Sequence, residues 1–242
     1  METKRSKFIN DGFIKIDQLI TAEEVDTLRT IYDKLLQDKV KTAHLRSDLA
    51  GADTSEDKKV ERITQIMRPS TIAKELIKNS AYKKAEQWAK ALLGEDMELD
   101  FDMMINKAPN TNTPTPWHQD AAYWIAMPDK RSASCWIALD KVFEENGCMW
   151  FIPKTEGKPI LPHKNLPNGG ALYCETDSSK ALSIPLNPGG CTFHDGFTLH
   201  FSQGNTTDTQ RRALILNFRP KKMIEFEREQ GVDHTGERKQ RN

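Results

Sequence analysis

The segment "TPWHQDAAYW", residues 115–124, sets a histidine and an aspartate two positions apart between two tryptophans. On an extended strand successive side chains alternate between faces, so His118 and Asp120 project together and Gln119 projects the other way. One imidazole and one carboxylate on a common face make two corners of a facial 2-His-1-carboxylate site. That donor set suits iron(II) and leaves coordination positions open for reactants. The tripeptide arises often by chance, so a third ligand has to be found elsewhere in the chain.

Six histidines are available: His44, His118, His163, His194, His200 and His234. His44 and His234 stand in polar segments, and His163, in "ILPHKN", precedes a loop without strand character. His194 and His200 both fall in "CTFHDGFTLHFSQGN". His200 is the better third ligand, because Ser202 shares its face and Arg211 follows 11 positions on, in the next strand. An arginine fork and a short hydroxyl together can bind a carboxylate. His194 adjoins an Asp195-Gly196 turn; it is either a satisfied structural histidine or the minority candidate for the third ligand. Arg212, adjacent to Arg211, belongs to the opposite face and is the weaker clamp.

These residues need strands to hold them, and the pattern supplies strands. From Glu98 onward the apolar period is two, in short runs such as "LDFDMMIN", "ASCWIALDKV", "CMWFIP", "FTLHFS" and "RRALILNFRP", separated by Gly, Pro and Asn. Glu145-Asn146-Gly147 is a hairpin turn signal. Many short strands without helices between them indicate a double-sheet antiparallel barrel or jelly roll. Up to about residue 94 the period is helical. Thr21 and Glu24 form a capping box ahead of Val25, Leu28, Tyr32 and Leu35. A second helix is expected near 71–93, with Ile72, Leu76, Trp88 and Leu92 on one stripe and Gly94 as its C-cap. Between the helices, the charged residues 46–62 read as a solvated connector, or as a lid in which Arg46 or Arg62 meets an anionic group of the substrate. Residues 221–242 read as a charged tail, frayed at "HTGERKQRN". The expected architecture is therefore mainly β with flanking α-helices, a single domain over 1–220 whose barrel starts near 98.

With 35 basic and 35 acidic residues the formal net charge is +0, which gives no reason to expect nucleic acid or an anionic membrane as partner. No apolar run approaches the length of a membrane span, and the N-terminus has no secretory pattern. The four cysteines show no C-x-x-C pairing, which argues against a disulfide or zinc framework and suits a reducing, cytoplasmic setting.

Taken with "NGCMWFIPKT", "PGGCTFHDGFTLHFSQGNTTDTQRRAL" and the opening "FINDGFIKIDQLITAEEVDTL", His118-Gln119-Asp120 resembles the phytanoyl-CoA dioxygenase-like family of iron(II)- and 2-oxoglutarate-dependent oxygenases. The resemblance runs from about Phe8 to Pro220. It implies a double-stranded β-helix of the cupin-like kind, with iron held by His118, Asp120 and His200. It further implies that Arg211, assisted by Ser202, pairs with the distal carboxylate of 2-oxoglutarate. Trp136, 18 positions beyond His118, would line the 2-oxoglutarate pocket, and Asn106 would touch the co-substrate from an earlier strand, with Asp102 and Met104 also inward. Phe101, Met103 and Ile105 would then pack outward. The implied reaction couples oxidative decarboxylation of 2-oxoglutarate by O2 to hydroxylation or a related C–H oxidation of a small molecule. With Asp120 present, halogenation is not expected. Two other classes compete: a cupin-like metal enzyme using no 2-oxoglutarate, for which Ser202 and Arg211 would be idle, and a catalytically silent ligand-binding barrel.

Overall fold

The computed structural model describes residues 2–51, 61–154, 159–166 and 170–235. Its centre is a sheet of seven antiparallel strands, in the order β1 (Phe13–Ile16), β11 (Cys191–His194), β6 (Ala133–Ala138), β13 (Arg211–Pro220), β4 (Met97–Lys107), β3 (Ile63–Met67) and β2 (Arg46–Asp48). A second sheet has the order β10 (Leu182–Ile184), β7 (Met149–Phe151), β12 (His200–Ser202) and β5 (Thr115–His118), and β8 (Lys164–Asn165) pairs with β9 (Leu172–Tyr173). Among the described residues every pairing is antiparallel, as the period-two runs imply for a double-sheet barrel, and the arrangement is the double-stranded β-helix that the resemblance implies.

Among the described residues four helices flank the barrel: α1 (Glu2–Asp11), α2 (Ala22–Leu36), α3 (Ser80–Leu93) and α4 (Lys221–Glu229). The Thr21–Glu24 capping box starts α2, and Val25, Leu28, Tyr32 and Leu35 are buried along it. With Ala81, Ala85 and Leu92 of α3 they cover the outer face of the large sheet, meeting Met104, Leu214 and Leu216 there. A separate apolar cluster, including Trp136, Phe151, Ala213 and Ile215, lies among the strands. The large sheet thus has helices on one face and a cavity on the other.

Three expectations need correction, and one helix is not announced by the sequence at all. The helix expected over 71–93 starts only at Ser80, where the Asn79 side chain accepts from the Ala81 amide; Ile72 and Leu76 reach the core from separate turns instead. Polar α1 buries only Phe8, which is why no stripe announces it. The charged segment from Lys221 is an amphipathic helix followed by a histidine, His234, whose side chain is buried. Of residues 46–62, 52–60 lie outside the described residues. The arginines at its ends are structural: Arg46 pairs with Asp38 and Glu61, and Arg62 with Asp48 and the Gly51 carbonyl. No helix of the described residues is long and apolar enough to cross a membrane.

Candidate metal centre

His118 ends β5 and His200 begins β12, and the two face each other directly across the strand pair. Gln119 remains extended, so Asp120 returns to the face of His118 before the chain enters a 3-10 turn. The turn also removes Trp124 from any simple strand count, although its ring still lines the cavity. Gln119 points away and is tied down on the far side: its side-chain amide donates to the Phe197 carbonyl at 2.8 Å and its Oε1 accepts from the Leu161 amide at 2.8 Å. Its backbone N–H donates to Nε2 of His163, whose Nδ1 donates to the Leu161 carbonyl. His163 is therefore a structural support beneath the motif.

The donor atoms converge. His118 Nδ1 donates to the Pro116 carbonyl at 2.8 Å and His200 Nδ1 donates to the Thr198 carbonyl at 2.9 Å. Each bond fixes a tautomer whose Nε2 carries a free lone pair. Both lone pairs face Asp120 Oδ1, at 3.8 Å and 3.5 Å, and the three donor atoms all lie within 4.8 Å of one another. Burial lowers the basicity of both rings, which keeps the neutral form that a metal requires. Burial alone would raise the Asp120 carboxyl, but His200 and His194 hold it well below the usual carboxylate range. Two neutral imidazoles and one carboxylate sharing a focus fit iron(II).

His194 lies outside that focus. Its Nε2 is 3.3 Å from Asp120 Oδ2, the oxygen turned away from the other two rings, and Ser134 Oγ donates to the same oxygen at 2.9 Å. Asn217 Nδ2 donates in turn to Ser134 Oγ at 2.9 Å. This relay leaves Oδ1 facing the Nε2 atoms of His118 and His200. Sequence reasoning missed Ser134, although it is two residues before Trp136 on the same strand and so shares its face.

Beyond the triad the cavity reaches Arg211, fully buried on β13. Among the described residues its guanidinium makes a single long hydrogen bond, Nη2 donating to Ser202 Oγ at 3.4 Å, and Nε and Nη1 have no partner. The guanidinium lies 5.3 Å from the centroid of the Trp136 ring. Burial pushes its pKa down to about 10, a measure of how poorly the charge is solvated. A buried fork with two idle donors fits the distal carboxylate of 2-oxoglutarate. Arg212 points to the helix side, where Asp140 and Asp33 neutralise it.

Asn106 does not reach this cavity. Phe101, Met103 and Ile105 line it, whereas Met104 packs under the helices and Asn106 stands opposite Arg212 on that outer face. Asp102 accepts there from Tyr82 at 2.6 Å. The alternation along β4 thus runs in the opposite phase to the one expected. Its acidic and amide side chains suggest a polar site, but Asp102 finds its partners, Tyr82 and Ser70, on the helix side, and Asn106 Oδ1 is buried there without a partner. At the end of the cavity away from Arg211 the walls are Met67, Phe101, Tyr123, Trp124, Asn217 and, unexpectedly, His234.

The sequence profile of the family described as "Phytanoyl-CoA dioxygenase (PhyH)" matches residues 8–213. The chain is 24% identical over 253 residues to "Phytanoyl-CoA dioxygenase domain-containing protein 1" of Danio rerio, covering 87% of each. It is 26% identical over 232 residues to the "Probable alpha-ketoglutarate-dependent hypophosphite dioxygenase" of Stutzerimonas stutzeri, covering 89% of this chain and 77% of that one. Among solved structures, EvdO2 from Micromonospora carbonacea var. aurantiaca complexed with 2-oxoglutarate is 30% identical, covers 90% of each chain and superposes with a TM-score of 0.74.

Proposed function

The chain belongs to the phytanoyl-CoA dioxygenase family, and from that premise we propose how its residues share the work of an iron(II)- and 2-oxoglutarate-dependent oxygenase acting on a small molecule. The assignment of individual roles rests above all on one observation: a buried arginine with two unpartnered donors in the same cavity as a 2-His-1-carboxylate focus. A cupin-like metal enzyme without 2-oxoglutarate would leave that charge unexplained.

In this assignment His118, Asp120 and His200 hold iron(II), which together with 2-oxoglutarate and O2 supplies an oxidant strong enough for an unactivated C–H bond. Arg211 receives the distal carboxylate, and Ser202 Oγ, already within reach of the fork, supplies a further donor to it. The Trp136 ring supports the guanidinium face and keeps water from it. His194 and Ser134 fix the Asp120 carboxylate, so the metal position does not wander as reactants come and go. The surrounding Met103, Ile105 and Ile215 side chains exclude water from the reacting groups.

The substrate then occupies the end with Phe101, Tyr123, Trp124 and His234. Among the described lining residues Arg211 is the only arginine and there is no lysine. Nothing in this lining would neutralise the phosphates of a coenzyme A ester. The polar atom left open at that end is Asn217 Oδ1, buried and without a partner, while Asn217 Nδ2 is committed to Ser134. We therefore assign an uncharged, largely apolar substrate that donates a hydrogen bond to Asn217 Oδ1. Phosphate-free ring alcohols and acyl-CoA esters should be offered side by side, following succinate release and gain of one oxygen atom by mass spectrometry. Turnover confined to the esters would overturn the substrate assignment, and absence of iron-dependent succinate formation with any compound would overturn the division of roles.

A further inference from the structure

A second buried cation lies next to Arg211. Lys107 ends β4 directly opposite Arg211 in the strand register, on the face that Phe101, Met103 and Ile105 turn to the cavity. It is completely buried. Its Nζ donates to the carbonyls of Thr113 at 3.1 Å, Ser202 at 3.1 Å and Gln203 at 2.5 Å, tying the large sheet to the small one. Three acceptors use three N–H bonds, which only the ammonium form has. Space around it is tight: a Cβ on Gly147 would meet the Gln203 carbonyl oxygen at 2.5 Å and Lys107 Cδ at 3.2 Å.

Among the described residues no carboxylate lies within ion-pair distance of Lys107 or Arg211, whereas Arg212, the next residue, has two. Burial, and after it the charge of Arg211, push the Lys107 pKa well below its ordinary value. Two like charges side by side in a dry site are unfavourable unless an anion joins them. The carbonyls of Ser202 and Gln203 solvate the ammonium but carry no net charge.

We infer that Lys107 is a positioning residue for 2-oxoglutarate, holding Ser202 beneath the Arg211 fork and adding a second positive charge behind it, so that the site selects oxo acids with a distal carboxylate. The inference rests on the role proposed above for Arg211. Lys107 does not touch the co-substrate; it acts through the backbone of Ser202 and through its field.

Calorimetric titration of the full chain loaded with Mn(II) tests this, using 2-oxoglutarate and 2-oxopentanoate, which has the same carbon chain without the distal carboxylate. The wild-type protein should prefer 2-oxoglutarate strongly. In Lys107→Met and Lys107→Gln that preference should shrink about tenfold, as expected for losing one nearby charge in a poorly screened site. Lys107→Arg should restore most of it. Equal weakening of both oxo acids in the neutral variants would make Lys107 a strut only and overturn the inference, as would an unchanged preference. The inference also falls if neither neutral variant folds while Lys107→Arg folds but loses the preference. Failure of the wild-type protein to bind 2-oxoglutarate at all would instead remove the role of Arg211, and this inference with it.

Discussion

Strand β13 carries a buried arginine at each end, and the two are in opposite circumstances. Arg211 faces the cavity with no carboxylate among the described residues and two idle donors. Arg219 is equally buried, but it meets both Asp100 and Glu227, while Arg228 reaches the other oxygen of Asp100. His234 completes the second group, its Nε2 donating to Glu227 at 2.6 Å and its ring stacking on Phe101 with centroids 4.3 Å apart. Arg219 also lies over the Trp124 ring at 5.0 Å. Burial of a charge is common to both ends and so says nothing about role. Neutralisation separates them: the paired end carries its own counter-charges, and the unpaired end is where the proposed function seats an anion.

The largest effect expected at the unpaired end comes from the metal ligands. Asp120→Ala or His200→Ala should abolish iron-dependent 2-oxoglutarate turnover while thermal unfolding shifts little, since these side chains line a cavity. If His200→Ala stays active and His194→Ala is dead, the ligand assignment is wrong. Removing one partner from a buried ion pair strands the others, so Arg219→Met should lower unfolding free energy by about 3–5 kcal/mol in urea titration. A loss close to zero would mean that the cluster is open to water.

Arg211→Met should do the reverse. Unfolding free energy should hold or rise, since an unpaired buried charge is removed, while 2-oxoglutarate affinity should fall by about 2–5 kcal/mol, roughly thirtyfold or more. Arg212→Met should change that affinity far less, and matching losses would break the face assignment on β13. The smallest effect is on acid stability. For Glu227, burial raises the carboxyl pKa but the His234 and Arg219 contacts outweigh it and hold it at about 2, against an ordinary 4.5. A depressed folded pKa stabilises above the ordinary value and loses that contribution as the pH falls from 4.5 toward 2. Glu227→Gln should flatten this part of the stability profile, read by tryptophan fluorescence, and an unchanged profile would assign the acid sensitivity elsewhere.

Much of the binding end is legible in the sequence because its geometry is local. Strand alternation brings His118 and Asp120 together, and it separates Arg211 from Arg212. The same rule fails at Asn106, where a period-two pattern has two phases and only the packing of Met104 under the helices decides between them. Trp136 is reached through a family resemblance, but Ser134 and Lys107 need the register of β6 and β4 against β13. The substrate end is the least legible. His234 looks like part of a polar tail because its partners Glu227, Arg219 and Asp100 are all charged, so no apolar stripe marks the segment as buried.

The position of β13 has a consequence for how the protein comes to exist as an active molecule. It joins β1-β11-β6 on one side to β4-β3-β2 on the other, yet it follows all six in the chain. Until it inserts, the large sheet is two unconnected halves, each with an open edge. Such non-local closure is slow, because distant segments must be ordered before their contacts repay the entropy. Ser134 stands on one half, Lys107 on the other and Arg211 on the closing strand. The order of assembly therefore makes affinity for 2-oxoglutarate a late acquisition, gained together with the sheet and not before it.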